Sequence, residues 1–286
     1  MASDSTILML SYSQKTMSEN LPKVSCYMAT YGRPWLVEES LESFLRQDYK
    51  GEKELIILND YGDQTLVFDH PEVKVFNRDE QIKPLGKKFN ETVHLCTGDV
   101  LFPWEDDDIF LPNKLTYTVN NLVNGFFHTG LAFFETELEK LIVSGNYFHC
   151  NMAMSRDIWQ KSGYYKETDQ CDIDIDMMSK ARNAAGYTGH TIPVEDIFYV
   201  YRWGTTGSTH ASGLGTGENV RASDFHADLV KRQVDEGKIV NGIVTLKPNW
   251  RYDYVAASKH AIKAWNDAEE AKKQPPPPQS NGGPQF

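Results

Sequence analysis

The run Glu-Asp-Asp-Asp at 105–108 is the part of this chain that is best placed to do chemistry. It directly follows a strand-like apolar stretch at 100–104. Two carboxylates about 4 Å apart repel each other by roughly 1 to 4 kcal/mol, depending on the effective dielectric. Most charge runs are solvated loops, but here a helix is predicted to begin within 111–115. Acids at the carboxyl end of a strand in an α/β sheet lie where such folds bind ligands, so the run is a candidate cation site.

Three earlier strand-like segments also end in polar residues, at 30–34, 59–63 and 77–79. If the sheet is parallel, these ends and the acidic run meet at one edge. That edge offers backbone and Asp contacts for a base and ribose, and carboxylates for a divalent ion such as Mg²⁺ or Mn²⁺. The candidate phosphate partners there are Arg33, Arg78, Lys83, Lys87 and Lys88.

The apolar pattern of the first half predicts alternating strands and helices. The predicted strands cover 24–28, 55–58, 73–76 and 100–104, and the predicted helices follow Pro34 and Gly86. The run at 55–58 is of the kind buried on both faces of a parallel sheet. This alternation is typical of a Rossmann-like α/β half with a mostly parallel sheet flanked by helices.

The second half is less regular and predicts a small antiparallel addition. A hairpin is expected at 131–135 and 140–143, and a strand at 198–201 leads into a Gly/Thr-rich loop that continues to 217. The remaining predicted elements are helices at 156–161, 176–185, 219–236 and 252–271, with a strand near 239–246. Gly186 is the predicted end of the helix before it.

Composition limits the class of protein. The 286 residues carry a net charge of -11, which disfavours a general binder of nucleic acid or anionic membranes but leaves room for a nucleotide in a local basic pocket. Four scattered cysteines are typical of buried apolar side chains in a reducing compartment. With no signal-peptide pattern and no stretch long enough to span a membrane, we expect a cytoplasmic protein.

The domain expectation is one domain over 22–265. Within it, two halves are expected, at 22–116 and 117–265. Residues 1–21 are expected to form a loosely attached arm, and 266–286 a disordered Pro/Gly-rich tail that cannot bury a core.

A second acidic segment lies at 169–176, where Asp and Ile alternate. In an extended conformation this alternation places Asp172, Asp174 and Asp176 on one side. A calcium loop is an alternative, but its sixth and twelfth positions would be Met177 and Asn183 instead of Gly and Glu. Acids at a helix N-terminus, stabilised by the macrodipole, remain an explanation for at least one of the three.

Five sequence pieces together resemble the family 2 glycosyltransferases of the GT-A fold. They are Thr-Tyr-Gly-Arg-Pro at 30–34, the strand ending in Asn-Asp at 55–60, Asn-Arg at 77–78, Gly-x-x-x-Asn at 86–90, and the stretch at 97–115 that contains the acidic run. The resemblance covers 22–116 well and continues more weakly to about 210. It implies a GT-A fold and transfer of a sugar from a nucleotide sugar. It also implies that 22–116 is the nucleotide-sugar-binding half and 117–265 the acceptor-binding half.

The resemblance also implies roles for particular residues of the first half. Aligned on Pro112, the family's D-x-D motif falls on Glu105, Asp106 and Asp107, with Glu where Asp is usual. Asp107 is then the metal ligand, with Mn²⁺ or Mg²⁺ as cofactor, and Glu105 faces the sugar and ribose. The implied nucleotide-sugar contacts are Thr30, Tyr31, Arg33, Asp60, Arg78, Lys87, Lys88, Glu105 and Asp106.

In the second half, the family places its catalytic base just before a helix that ends in Gly. Counting back from Gly186 favours Asp174 as that base, with Asp172 second and Asp176 third. Family members often continue with Tyr-Arg and a loop that closes over the diphosphate. Arg202 is the corresponding candidate for a donor contact and His210 for a metal ligand, and glycines at 204–217 would let the loop open and close.

The implied reaction is metal-dependent, inverting transfer of a hexosyl or pentosyl group, with UDP as the expected nucleotide. The acceptor is left open among a glycan, a lipid-linked, a protein or a modified-nucleobase hydroxyl, and so is the oligomeric state. A nucleotidyltransferase is one alternative, although 30–34 is a poor version of the Gly-rich basic loop it needs. A non-catalytic relic of the fold that binds glycans or nucleotides is another.

Overall fold

The computed structural model describes residues 21–187, 189–206, 210, 221–239 and 241–273. Within these ranges the strands form sheets of six, four and two strands. The strands are β1 (Val24–Thr30), β2 (Lys53–Asn59), β3 (Gln64–Val67), β4 (Val73–Asn77), β5 (Val100–Pro103), β6 (Ile109–Phe110), β7 (Phe126–His128), β8 (Leu131–Glu137), β9 (Lys140–Gly145), β10 (Met152–Ser155), β11 (Tyr199–Tyr201) and β12 (Gly242–Thr245).

The α-helices alternate with these strands along the chain. They are α1 (Pro34–Leu45), α2 (Leu85–His94), α3 (Lys114–Asn120), α4 (Arg156–Lys161), α5 (Ile173–Ala185), α6 (Trp203–Thr206), α7 (Ala222–Asp235) and α8 (Tyr254–Lys273).

The six-stranded sheet has the order β4-β2-β1-β5-β10-β7. Strands β4, β2, β1 and β5 pair in parallel, whereas β10 runs antiparallel to both of its neighbours. The four-stranded sheet β6-β11-β8-β9 stands where the small antiparallel addition was predicted, and β8 and β9 form the expected antiparallel hairpin. The sheet as a whole is mixed, because β11 pairs antiparallel with β6 but parallel with β8. The predicted α/β class with a mostly parallel central sheet is therefore confirmed.

Two apolar clusters cover the two faces of the central sheet. Alternate side chains of a strand point to opposite faces, and accordingly Cys26 and Met28 belong to one cluster while Tyr27 belongs to the other. The same alternation divides Ile57 from Ile56 in β2. Burial on both faces explains why these strands are continuously apolar.

Several element boundaries differ from the sequence expectation. Helix α5 begins at Ile173, three residues before the predicted start, and ends as predicted at Gly186, which adopts a φ of 62°. Strand β3 had no sequence prediction, and it pairs with β12 from the other end of the chain. Residues 203–206 of the predicted loop form α6, whereas 207–209 and 211–220 lie outside the described residues.

The two chain ends are only partly described. Helix α8 continues to Lys273, so 266–273 of the expected disordered tail is helical. Residues 1–20 of the predicted arm and 274–286 of the predicted tail lie outside the described residues. The four cysteines are free thiols, and Cys26, Cys96 and Cys150 are buried as expected. No helix in the described ranges has the length and apolar character needed to cross a membrane.

Candidate active site

The acidic run forms the connection between β5 and β6, at the carboxyl edge of the parallel strands. Helix α1 holds this connection through two hydrogen bonds of Ser40. Its hydroxyl donates to the Glu105 carbonyl at 2.7 Å, and its own carbonyl accepts from the Trp104 indole at 3.0 Å. Because Trp104 is also fully buried, the backbone that carries the acids is fixed on both sides.

Asp106 connects the acidic run to the end of β1. Its carboxylate accepts hydrogen bonds from the Thr30 hydroxyl at 2.6 Å and from Arg33 Nε at 3.0 Å, and Arg33 Nη2 donates to its other oxygen. All three side chains are buried. Both oxygens of Asp106 are therefore engaged, and the carboxylate orients Arg33 toward the neighbouring Asp107, 3.3 Å away.

Asp107, Asp108 and His210 form a cluster that could hold a metal ion. One ligand atom from each lies within 4.8 Å of the other two, and all three residues are buried. His210 Nδ1 lies 3.3 Å from Asp107 Oδ2. Carboxylate oxygens suit both expected cations, Mn²⁺ and Mg²⁺, and an imidazole nitrogen is a ligand typical of transition metals.

Asp108 was missed when the sequence was aligned on the family motif, although it stands in the acidic run. Its carboxylate accepts a hydrogen bond of 2.5 Å from the Tyr199 hydroxyl of β11. The only sequence signal for its role was its position next to Asp107. The contact with Tyr199, which lies about ninety residues later in the chain, is visible only in the folded structure.

Arg202 differs from the expectation that it contacts the donor. Its side chain is 0% exposed, its Nε donates to the Asp107 carbonyl at 2.6 Å, and its Nη1 pairs with Glu39 of α1. Arg202 is not among the described residues that line the cavity beside the acidic run. Arg202 instead positions the backbone of the proposed metal ligand.

Burial and mutual repulsion shift the pKa values of the acids. Burial and the charge of Asp107 raise the pKa of Glu105 well above its usual value, and the same two causes raise the pKa of Asp108 to about 8. Burial acts in the same direction on Asp107, but the charges of His210 and Arg33 outweigh it and hold the pKa of Asp107 below its usual value. A divalent cation would stabilise the ionised forms of all of these acids.

Glu105 is linked to a buried chain of polar side chains. Its Oε1 lies 2.8 Å from His149 Nδ1, and His149 Nε2 lies 2.6 Å from the Tyr165 hydroxyl. That hydroxyl is 2.5 Å from the hydroxyl of Tyr27 in β1. The longer Glu side chain, where the family motif has Asp, reaches a partner on the far side of the site.

Helix α5 separates the three acids that were expected on one side of an extended segment. That expectation was wrong because the segment is helical from Ile173, so successive residues rotate by about 100°. Asp172 is the residue before the helix, and Asp176 pairs with Lys180 at 2.6 Å. Asp174 alone of the three lines the cavity beside the acidic run.

Asp60 and Lys88 form a buried ion pair beside Thr30 and Tyr31, the candidate contacts of the nucleotide. Lys88 Nζ lies 2.5 Å from the Asp60 carboxylate and donates to the Thr30 carbonyl at 2.7 Å. Tyr31 lies over the same ammonium group, 5.8 Å from the ring centre. Of the other predicted phosphate partners, Arg78 pairs with Glu91, Lys87 is exposed, and neither lines the cavity.

A cavity of about 130 Å³ joins these groups. His226 of α7 also lines it and carried no sequence signal, because a lone His in a helical stretch has many ordinary explanations. The polar residues that line it are Tyr31, Arg33, Lys88, Glu105, Asp106, Asp107, Asp174, His210 and His226. The lining thus contains two residues of the candidate metal cluster, Asp107 and His210, and the candidate catalytic base Asp174.

Comparison with known proteins identifies the family. The profile described as glycosyl transferase family 2 matches residues 25–171, just over half of the chain. The chain belongs to glycosyl transferase family 2. The matched range contains the acidic run and ends three residues before Asp174.

Individual relatives of this family 2 chain are distant. The putative colanic acid biosynthesis glycosyl transferase WcaA of Escherichia coli K12 is 28% identical over 105 residues, which cover 34% of this chain and 37% of that protein. The mannosyltransferase PcManGT of Pyrobaculum calidifontis, solved with GDP-Man and Mn²⁺, is 14% identical with a TM-score of 0.47 over 94% of this chain and 84% of that one. TarS 1-349 of S. aureus is 13% identical with a TM-score of 0.46 over 74% of this chain and 72% of that one.

Proposed function

We propose that this family 2 chain is a metal-dependent, inverting glycosyltransferase that moves a sugar from a UDP-sugar to an acceptor hydroxyl. The observation that carries the proposal is that Asp107, His210 and Asp174 line the same small cavity. Family membership supports the reaction class. The choice of UDP rests on the resemblance in the first half of the chain.

Asp107 and His210 would hold the ion, with Asp108 as a third candidate ligand. A bound Mn²⁺ or Mg²⁺ would offset the negative charge that develops on the departing nucleotide diphosphate. Arg33 also lines the cavity and pairs with Asp107 at 3.3 Å. Its guanidinium would therefore help to offset the negative charge of the diphosphate. Asp106 orients Arg33 and so holds the guanidinium at the cavity.

Asp174 would accept the proton of the acceptor hydroxyl. Burial raises its pKa above the usual range of an Asp, although the nearby His149 acts in the opposite direction. A carboxylate with a raised pKa is a stronger base. Proton removal lets the hydroxyl oxygen attack the anomeric carbon from the face opposite the departing diphosphate, which inverts the configuration, and the transition state is expected to be oxocarbenium-like.

The remaining donor contacts stay as proposals at the predicted residues. Tyr31, with Thr30 and Asp60 behind it, would pack on the nucleotide base, and Glu105 would face the ribose and sugar. Lys88 stays a candidate phosphate contact. A nucleotidyltransferase is disfavoured because the loop after β1 is held by ion pairs of Arg33 and carries a single glycine, so it offers no phosphate cradle.

The test is release of free nucleotide from a panel of UDP-, GDP- and dTDP-sugars, with Mn²⁺, with Mg²⁺ and with EDTA. We expect metal-dependent release of UDP from at least one donor, and loss of that release in Asp107→Asn. Absence of metal-dependent release from every donor would contradict the proposal. Unchanged release in both Asp107→Asn and Asp174→Asn would favour a different site.

A further inference from the structure

A second cavity, of about 490 Å³, lies at the same edge of the central sheet. In the register of β10, Met152 pairs with His128 of β7, and Met154 pairs with Leu101 of β5. The His128 end of β7 therefore lies at the edge where β5 ends and the acidic run begins. The proposed function does not use this cavity.

The second cavity is lined by one cationic side chain and several aromatic rings. It contains Arg182, His128, His190 and Tyr147, and no Asp or Glu is among its described lining residues. The Arg182 guanidinium lies 5.5 Å from the centre of the Tyr147 ring, and no hydrogen-bond partner of its Nε exists within the described part of the chain. In a protein of net charge -11, such a cavity favours an anionic ligand.

Tyr147 and His128 together form a platform at this cavity. Their rings stack with centres 6.1 Å apart and an interplanar angle of 12°. Tyr147 is nevertheless 61% exposed, so much of its side chain is accessible to a ligand. A large exposed aromatic ring beside polar groups is typical of binding surfaces for amphipathic ligands such as sugars.

His128 supplies an independent indication of a ligand. It is only 4% exposed, and its Nε2 has no hydrogen-bond partner among the described residues. Burial and the charge of Arg182 lower the pKa of His128 to about 4, although a hydrogen bond to the Phe148 backbone opposes the shift. The ring is therefore neutral near pH 7, and its Nε2 is left to accept a hydrogen bond, for example from a ligand hydroxyl.

The position of Arg182 near the C-terminus of α5 has a structural explanation as well. A cation in the last turn interacts favourably with the helix dipole. That interaction accounts for the charge of Arg182, but it does not account for the buried, unsatisfied His128 or for the exposed Tyr147. A ligand with both a negative charge and hydroxyl groups would satisfy all three side chains.

The same helix connects this cavity to the proposed base. Asp174 and Arg182 are eight residues apart on α5, which corresponds to roughly 12 Å along the axis. Tyr147 is likewise two residues from His149, the partner of Glu105. A ligand that spans the two cavities would therefore extend along α5.

We propose that the second cavity binds an acidic saccharide unit, a sugar ring that carries a carboxylate or phosphate, as the part of the acceptor farthest from the reacting hydroxyl. This assignment rests on the proposed function. The ring would stack on Tyr147, a hydroxyl would donate to His128 Nε2, and Arg182 would pair with the anionic group.

The test is ligand-observed NMR on the full chain with three probes: methyl β-glucuronide, glucose 6-phosphate and neutral methyl β-glucoside. We expect at least one anionic sugar to bind about tenfold or more tightly than the glucoside. Arg182→Gln should remove that preference, and Tyr147→Ala should weaken every sugar that binds. Lys263→Gln, which removes an exposed charge from α8, is the charge-matched control.

The outcomes separate this proposal from the proposed transfer reaction. Binding of an anionic sugar that persists in Asp107→Asn, whether or not transfer is detected, would support the second cavity as a separate site. Equal binding of the charged and neutral sugars, or binding unaffected by Arg182→Gln, would overturn it. Inorganic phosphate that binds as tightly as glucose 6-phosphate would overturn the saccharide part, because the ring would then contribute nothing.

Discussion

Two acids on one helix differ in what surrounds them. Asp174 of α5 lines the cavity beside Glu105 and His149, and burial raises its pKa. Asp176, two residues later, pairs with Lys180 on the outer part of the helix. The local sequence of alternating Asp and Ile does not distinguish the two positions, whereas the rotation of the helix does.

Substitution of Asp174 by Asn should therefore remove the base and leave donor binding intact. General-base catalysis contributes about 100- to 10,000-fold to a rate, so we expect kcat for sugar transfer to fall by that factor with little change in the donor KM. Asp176→Asn is the matched control and should change kcat by less than about threefold. Equal losses in the two variants would contradict the assignment of the base.

Glu54 of β2 shows how a buried carboxylate can stabilise the fold at neutral pH. It is 3% exposed and accepts hydrogen bonds from Ser25 at 2.7 Å, from Lys74 at 2.8 Å and from the Thr97 backbone at 2.6 Å. Burial alone would raise its pKa, but the hydrogen bonds from Lys74, Ser25 and Thr97 outweigh burial and lower the pKa to about 2.

The stabilisation by Glu54 should depend on pH in a defined direction. Because the folded pKa is below the usual 4.5, the contribution is complete above about pH 4.5 and is lost as the pH falls toward 2. Glu54→Gln should lower the free energy of unfolding at pH 7 by up to about 3 kcal/mol. Urea unfolding from pH 7 to pH 3 checks this, with exposed Glu52→Gln as the control. The prediction is contradicted if the loss of unfolding free energy in Glu54→Gln does not become smaller as the pH falls.

At the scale of elements, the Gly-x-x-x-Asn piece at 86–90 has a docking role. The Gly86 amide donates to the Thr168 carbonyl at 3.1 Å, and the Asn90 amide exchanges two hydrogen bonds of 2.9 Å with the Tyr165 backbone. Helix α2 is thereby fixed against the segment that leads into α5. The motif thus connects the nucleotide-binding half to the helix that carries Asp174.

This docking leaves no room for a side chain at Gly86. A Cβ atom there would lie 1.9 Å from the Lys166 carbonyl oxygen, which is backbone and cannot rotate away. We expect Gly86→Ala to lower the free energy of unfolding by about 1 to 3 kcal/mol and to reduce kcat by displacing α5. Gly145→Ala is the control for stability, since its Cβ would meet its nearest atom at 3.7 Å. Thermal unfolding of both variants tests this prediction. Equal melting temperatures of Gly86→Ala and Gly145→Ala would contradict the docking role of Gly86.

The sequence predicted elements well where the signal is local and poorly where it is not. The strand at 55–58 was predictable because buried parallel strands are continuously apolar. The edge strand at 73–76 was predictable from the alternation of Lys74 with apolar neighbours. Strand β3 was not, because Gln64–Val67 is short and its partner, β12, lies about 175 residues later. The start of α5 was missed because the alternation of Asp and Ile is typical of a strand. The helix is instead stabilised by the packing of Met177 and Met178 in the apolar core.

At the scale of the molecule, the candidate site lies where the two larger sheets meet. The acidic run leaves the central sheet at β5 and enters the four-stranded sheet at β6, which pairs with β11. Lys114 of α3 lies beneath this junction, 4.0 Å from the centre of the Phe110 ring, and donates to the Cys150 carbonyl. The motif alone makes Asp107 a candidate metal ligand, whereas the support from Arg202 and Lys114 depends on contacts between distant segments.

This junction predicts that metal binding stabilises the whole fold. The candidate ligands come from the β5–β6 connection and from the segment after α6, so an ion would join regions about a hundred residues apart. A ligand that binds only the folded state adds about 2.7 kcal/mol at a concentration of 100 times its Kd. We therefore expect saturating Mn²⁺ to raise the melting temperature by several degrees, and Asp107→Asn to abolish the shift. Asp157→Asn, which removes an exposed carboxylate of α4, should keep it. An undiminished shift in Asp107→Asn would mean that the ion binds elsewhere on the protein.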